Sequence, residues 1–405
     1  KIQGYHPWYD PDMVACEKAI EMLLNSEKPI ILAGGGTIIS SAFAELQSIA
    51  ETLMLPVVTT FKGKGAFPEN HPLSLGPIGM HGHAEANKMM TEADCVLAIG
   101  TRFSDRSVGT FEAFEKRLKI IHMDVDPAEI GKNQTTSLAV VGDVRTSLRV
   151  MVKLLLQKAI TEGSISLLLE CSKYADIAHA AKEEEKNNAL LLLELLVPIA
   201  KTYPSEKGQE SISNGLQVLG GYGYTSEFIL QQYYRDIRIM SLYEGTTGIQ
   251  SIDLLGRKIP MANGIALQLL LAKATSVIKE ASALSELKSE ANQLADALGE
   301  MRKVLQHLSP IADQGKINTY LSDATIFMKM MGNVVIAYQW LKMGVAAAKA
   351  LKADTRDYKD KFYQGKIITM KFYYKYELPL IAGDVKTLMD DQRITMQDDI
   401  LSALS

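Results

Sequence analysis

The chain has 405 residues, 47% of them hydrophobic and 22% charged, with a formal net charge of −4 at neutral pH. That length predicts two or three domains, and the acidic excess argues against a general nucleic-acid binder, which needs a basic surface. Three scattered cysteines (Cys16, Cys95 and Cys171) offer no disulfide framework, and seven histidines without HxxxH or CxxH spacing argue against a structural metal site.

The chain opens at Lys1 without a methionine or a secretory leader, which reads as a processed or excised segment. Its cysteine usage suits a reducing, cytoplasmic compartment. The apolar tracts "NNALLLLELLVPIA" and "GNVVIAYQW" are too short to cross a bilayer and read as buried helices, so no membrane partner is expected.

The first 158 or so residues alternate short apolar runs with amphipathic segments. "PIILA", "LPVVTT", "DCVLAIG", "KIIHMDVD" and "LAVVGD" read as about five strands, separated by helical patterns such as "SSAFAELQSIAETL". That rhythm predicts a Rossmann-like parallel sheet with helices on both faces. Ligands bind such sheets beyond the carboxyl ends of the strands. The residues there are Gly34–Gly36, Gly100-Thr101-Arg102, Asp124, Asp126 and Gly142-Asp143. Glycines let backbone N–H groups approach a phosphate, Arg102 is suited to pairing with it, and the aspartates to accepting from ribose hydroxyls. The "AGGG" string is not GxGxxG, however, and no acid lies about twenty residues on. The plain alternative is that these glycines merely turn strand into helix.

From about Thr161 the period is helical almost to the end. "ALQLLLAKATSVIKEASALSEL", "EANQLADALGEMRKVLQHL" and "YLSDATIFMKMMGNVVIAYQWLKMGVAAAKAL" place apolar residues three and four apart. This predicts an antiparallel helix bundle with an extended helical C-terminus. No Pro/Gly-rich linker divides the halves, and one helix could run across the change, broken weakly at Gly163. Within "QVLGGYGYTSEFILQQYYRDIRIMSLYEGTTGIQSIDLLGRKI", Gly220 and Gly221 suit a helix C-cap and Thr225 or Ser226 a helix start. Glu244-Gly245-Thr246 reads as a turn capped by Thr246 or Thr247. On this reading Glu244 is only an acid near a helix N-terminus.

Two linear resemblances sharpen these readings. "GKGAFPENHPLSLG", "GMHGHAEANKMMTEADCVLAIGTRFSDRSVG", "HMDVDPAEIGKN" and "VVGDV" together resemble the central domain of the acetolactate synthase large subunit, over residues 1–157. The resemblance implies an extended FAD, held structurally, with contacts at Gly79, Met80, His81, Gly82, Gly100, Arg102, Asp124, Asp126 and Asp143. Ser104 stands where the family usually has an acid, which removes one expected contact. His81, between two glycines, is on residue chemistry alone more often a backbone-bonded loop residue than a catalyst. The domains that hold thiamine diphosphate in that family have no counterpart here, because "VGDVRTS" is not followed by the paired asparagines of its metal motif. Thiamine diphosphate is therefore not expected to bind.

Residues 161–405 resemble the C-terminal helical domain of acyl-CoA dehydrogenases, including a subgroup with an extended C-terminus. The glutamate of "YEGT" is that family's base, which removes the α-proton of an acyl-CoA thioester while the β-hydride goes to FAD. The resemblance makes Glu244 that base and assigns flavin contacts to Thr246 and Gln250, with Gln217, Gly220 and Gly221 at the FAD of a neighbouring subunit. It also implies a homo-oligomer. The family's β-barrel domain, its N-terminal helical domain and the first helix of this domain have no match in the chain.

The expected organisation is thus a chimera joined near Lys158–Thr161. A flavin-binding α/β domain (1–158) is followed by a helical bundle (159–275) and a helical extension (276–405). The expected function is an FAD-binding hybrid of acyl-CoA dehydrogenase ancestry, an engineered fusion with weak or no turnover. An acetolactate synthase fragment and a non-enzymatic assembly module are the alternatives.

Overall fold

A computed structural model describes residues 11–103, 118–219, 223–226, 229–353, 355, 357–392 and 396. The chain divides into two compact units, Lys1–Leu156 with Tyr358–Ile368 and Gln157–Asp357 with Thr369–Ser405.

In the first unit, Asp12 caps helix α1 (Met13–Leu24) by accepting from the backbone N–H groups of Val14 and Ala15 at 3.0 and 3.1 Å. Strand β1 (Pro29–Ala33) follows, then α2 (Gly35–Ile39), α3 (Phe43–Leu53) and β2 (Val57–Thr59). After these come β3 (Ser74–Pro77), α4 (Ala84–Glu92), β4 (Cys95–Ile99), β5 (Lys119–Asp124) and β6 (Leu138–Val141). The six strands form one parallel sheet in the order β3-β2-β1-β4-β5-β6. The central strands β1 and β4 are apolar almost throughout, as a parallel sheet covered on both faces requires. Ile30, Leu32, Val96 and Ala98 point to one face, where Ala86 and Met90 of α4 join their core. By the two-residue alternation, Ile31, Leu97 and Ile99 serve the other.

Five of these strands coincide with the apolar runs of the sequence. The sixth, β3, is a half-buried edge strand of sequence SLGP, paired to β2 across a register irregularity. Proline and glycine are tolerated there because an edge strand needs fewer ladder bonds.

Helix α5 (Val144–Ala180) is continuous, with no break at Gly163. It is followed by α6 (Glu183–Leu219), which carries Pro198 and Pro204 internally, α7 (Leu230–Met240) and α8 (Thr247–Asp253). A single π-helical turn, Leu254–Lys258, extends α8. The remainder is α9 (Ile265–Ser282), α10 (Lys288–Asp313), α11 (Ile317–Leu321), α12 (Ala324–Lys352), α13 (Asp360–Tyr376) and α14 (Ile381–Leu388).

The second unit is organised around α12, which packs against α6, α8, α9, α10 and α14. At 29 residues α12 is long and apolar enough to cross a bilayer, contrary to the length inferred from its apolar tract, yet 67% of its most apolar stretch is buried inside the unit. That is the pattern of a core helix. Gly163 supplies a notch for it: a Cβ there would lie 2.6 Å from Ile336 Cγ2 and 3.0 Å from Trp340 Nε1. The buried Trp340 ring N–H then donates to the Ala159 carbonyl at 2.8 Å. The hydroxyls of Tyr203 and Tyr373 meet at 3.0 Å, and Tyr374 donates to the Ala337 carbonyl at 2.9 Å, so these buried phenols are satisfied.

Candidate functional site

The strand order of the first unit reverses direction between β1 and β4, which defines a topological switch point. The two loops leaving these strands meet backbone to backbone. Gly34 N–H donates to the Ile99 carbonyl at 2.8 Å and Gly36 N–H to the Gly100 carbonyl at 3.0 Å. A Cβ on Gly34 would lie 2.2 Å from the Gly100 oxygen, and one on Gly36 2.7 Å from the Gly100 Cα. The glycines of "AGGG" therefore serve close loop packing. The N–H groups of Gly34 and Gly36 are spent inside the protein and are not free to cradle a phosphate.

Other residues of this edge remain open. Met80 is 90% exposed and His81 is exposed beside it, on a turn fixed by a two-way amide clasp between Asn87 and Gly79. Gly82 is obligatory at that turn, because a Cβ would lie 2.4 Å from the Pro77 oxygen. Gly100 adopts φ +55° and Arg102 is exposed. Asp124 accepts from Asp126 N–H at 3.0 Å, and Asp126 from Ala128 N–H at 2.9 Å, so both aspartates shape their own turn. Burial pushes the Asp124 carboxyl above its usual range. Asp143 is buried and accepts from Thr146 N–H at 3.0 Å at the start of α5, a helix cap. Four strand spacings separate the Gly79–Gly82 turn from Asp124, about 19 Å. The residues gathered here thus form a long ledge, not a compact pocket.

One residue of this edge escapes motif reading. His122 lies buried in β5, and its Nε2 is 2.8 Å from the Thr101 carbonyl, so that nitrogen carries the proton. Phe103 packs edge-on against its ring at 5.1 Å. Burial lowers the imidazole pKa and keeps the ring neutral. The only sequence signal was a histidine inside the apolar middle of that strand, between Ile121 and Met123.

In the second unit, the Tyr243–Gln250 segment is a turn entering α8. Glu244 is exposed and sits at φ +54°, in the left-handed region, followed by Gly245 at +91°. The turn is braced from three directions. Gln250 Nε2 donates to the Glu244 carbonyl at 2.9 Å, Lys201 Nζ to the Gly245 carbonyl at 2.6 Å, and the Thr247 hydroxyl to the Glu206 carboxylate. Thr246 caps α8 by accepting from Ile249 N–H at 3.3 Å. The side chains of Thr246 and Gln250 are therefore engaged in holding Glu244's own turn.

Gln217 lies near the end of α6, eleven residues beyond Glu206, or about 16 Å along the helix axis. The structure does not gather it with Glu244. Gly220 and Gly221 lie outside the described residues. Helix α7 rests on α6 where Ile237 meets Gly208 and Leu230 meets Gly215, but none of its residues is buried. Among the described residues, no cluster of three or more histidine, cysteine or carboxylate groups could hold a metal.

Comparison with known proteins divides the chain in the same manner. Residues 16–151 match the family described as thiamine pyrophosphate enzyme, central domain. Residues 151–259 match acyl-CoA dehydrogenase, C-terminal domain, and residues 270–399 match acetyl-CoA dehydrogenase C-terminal like. The chain is similar to a probable acetolactate synthase large subunit of Methanocaldococcus jannaschii, 50% identical over 148 residues, covering 36% of this chain and 25% of that protein. It is also similar to the acetolactate synthase large subunit of Parasynechococcus marenigrum, 40% identical over 173 residues, covering 43% and 28%. The chain spans about a quarter of the length of these curated relatives. An acetolactate-synthase-like central domain is thus followed by segments of acyl-CoA dehydrogenase type. The first two family matches meet at residue 151, inside α5.

Proposed function

We propose that the chain is an FAD-binding hybrid of acyl-CoA dehydrogenase ancestry, in which Glu244 is the base toward an acyl-CoA α-proton. The observation that carries this reading is Glu244 itself, an exposed carboxylate held in a sparsely populated backbone conformation by three separate braces. Such outliers persist where the surroundings over-determine them, and they concentrate at functional positions.

The ledge of the first unit fits an extended dinucleotide in part. Arg102 offers an exposed cation for a phosphate, and Met80 and His81 stand exposed on the turn at the same edge, whose Gly79 and Gly82 N–H groups are already spent inside the turn. Asp124, Asp126 and Asp143 contribute less than their acidity suggests, because each already accepts from local backbone N–H groups. When bound, FAD supplies the hydride acceptor. The protein's part is to hold the Glu244 carboxylate beside the α-carbon and to position the thioester.

Weak turnover follows from geometry. Catalysis of this kind depends on holding reactants within a fraction of an ångström, and residues 16–151 match a different family from the one whose barrel holds the flavin. We read the join of two unrelated families as an engineered fusion, working in the cytoplasm. It comprises an α/β domain (1–158), an antiparallel bundle (159–275) and a helical extension (276–405).

Purified full-length chain should carry the visible absorbance of flavin or acquire it on incubation with FAD. A colourless protein whose melting temperature ignores added FAD would sink the flavin reading. For Glu244, deuterium exchange at the α-carbon of a short acyl-CoA reports proton abstraction directly. Exchange should disappear in Glu244→Gln, and equal rates in both proteins would remove Glu244 as the base.

A second reading, an assembly module, is favoured by one observation. Tyr233, Ile239, Leu242, Tyr243 and Ile249 are each more than 40% exposed along α7, α8 and the turn between them. Apolar surface of this extent suits burial between copies of the chain.

A further inference from the structure

The second unit holds a concavity that neither reading uses. Helices α5, α9 and α12 border an open groove of about 440 Å³, within the size range of small-molecule sites. Three lysines, Lys173, Lys273 and Lys342, converge on it, and Glu170 is the sole carboxylate among its lining residues.

Glu170 is fully committed. It is buried, and its Oε1 accepts from the hydroxyls of Tyr174 at 2.6 Å and Tyr338 at 3.3 Å. Its Oε2 accepts from the Gln339 amide, and from Lys342 Nζ at 2.6 Å. Lys342 therefore neutralises Glu170, and both tyrosine hydroxyls are spent while their rings still face the groove.

Lys173 and Lys273 are left over. Neither has a carboxylate within ion-pair distance among the described residues; Lys273 Nζ stands 5.5 Å from the centre of the Tyr174 ring. The Ser276 hydroxyl, on the same lip, has no hydrogen-bond partner among the described residues. Lys173 and Lys273 thus line one groove as like charges, which repel unless an anion lies between them.

We propose that this groove binds a small phosphate-bearing anion, held by Lys173, Lys273 and Ser276 over the rings of Tyr174 and Tyr338. Ammonium groups bind phosphate oxygens as charge-assisted donors, and the aromatic floor accepts an apolar group esterified to the phosphate. The groove takes residues from both acyl-CoA-dehydrogenase-type segments, since Lys173 lies in the 151–259 match and Lys273 and Tyr338 in the 270–399 match. Its lining residues include none from the Glu244 turn and none from the α/β ledge.

Calorimetric titration of the full chain with phenyl phosphate and with inorganic phosphate, in about 0.1 M salt, tests this. These probes lack a nucleotide base, and any phosphate held by Arg102 of the α/β unit would be bound equally by the parent and the Lys173/Lys273 variant. Saturable one-site binding is expected. It should weaken at least tenfold in Lys173→Gln/Lys273→Gln and in Ser276→Trp, which fills the groove. Lys279→Gln, on α9 outside the groove, should bind as the parent does. Tighter binding of phenyl phosphate assigns the site to a phosphate ester, and equal affinity for the two probes assigns it to free phosphate; both support the anion site. No saturable binding by the parent chain, or equal binding by the parent and the double variant, overturns it. The substituted positions are exposed, and unchanged circular dichroism checks that the variants are folded.

Discussion

A glutamate held at φ +54° costs an L-residue about 1–2 kcal/mol relative to ordinary helical or extended backbone. Glycine would remove that cost, at the expense of a more flexible unfolded chain. Glu244→Gly should therefore be neutral or up to about 1 kcal/mol more stable in urea denaturation, while any α-proton exchange is lost. A clear destabilisation would mean that the carboxylate itself holds the turn. His122 makes the complementary case for a buried neutral group. Its folded pKa is depressed below the ordinary 6.5, so the unfolded chain binds the extra proton first. Its contribution to stability is present above about pH 6.5 and is lost as pH falls toward the depressed value, with a slope of at most about 1.4 kcal/mol per unit. Denaturation midpoints measured from pH 7 down to pH 5 should fall less steeply in His122→Gln than in the parent. Parallel curves would exclude His122 as the source.

Among the helices, Gly163 separates propensity from packing. Alanine at this position gains up to about 1 kcal/mol of helix propensity, yet its Cβ would lie 2.6 Å from Ile336 and 3.0 Å from Trp340. Gly163→Ala should be net destabilising by about 1–3 kcal/mol, visible as a lower thermal midpoint; a raised midpoint would show that α12 shifts aside freely. No local rule identifies such a glycine, because the notch exists only once a helix some 170 residues later lies against it. The same limit explains the other differences. β1, β2, β4, β5 and β6 were legible because buried parallel strands are apolar runs. β3 was not, since Ser-Leu-Gly-Pro has neither the alternation nor the composition of a strand and is recruited by its neighbour. The carboxyl-edge residues stand at the ends of the strands that the apolar runs marked, but their local bonding was not legible: Gly34 and Gly36 spend their N–H groups on the Ile99 and Gly100 carbonyls, and Asp124 and Asp126 accept within their own turn. The Glu244 turn was legible as a turn capped by Thr246, whereas its braces from α6 were not, since Lys201 and Glu206 lie about forty residues earlier.

For the molecule as a whole, the exposed apolar surface of α7 and α8 sets an expectation about association. Light scattering of the full chain should report a species larger than 44.5 kDa. Tyr233→Asp/Ile239→Asp should shift it toward the monomer mass without loss of helicity, because both residues are about half exposed in the single chain. A monomeric parent chain would count against the assembly reading and leave the flavin test unaffected.

The position of the family changeover carries its own consequence. A helix meets its backbone hydrogen bonds within four residues of itself, whatever side chains it bears. A strand depends on two neighbours in register, and a one-residue slip turns every side chain to the wrong face. Residue 151 lies inside a helix of 37 residues, past the last strand of the sheet. A crossover there asks the peptide backbone to recognise nothing foreign, since each carbonyl finds its donor one turn further on regardless of ancestry. Recombination between unrelated lineages is least disruptive at such a place, and the first two turns of α5 can end one lineage while the rest of the helix begins another.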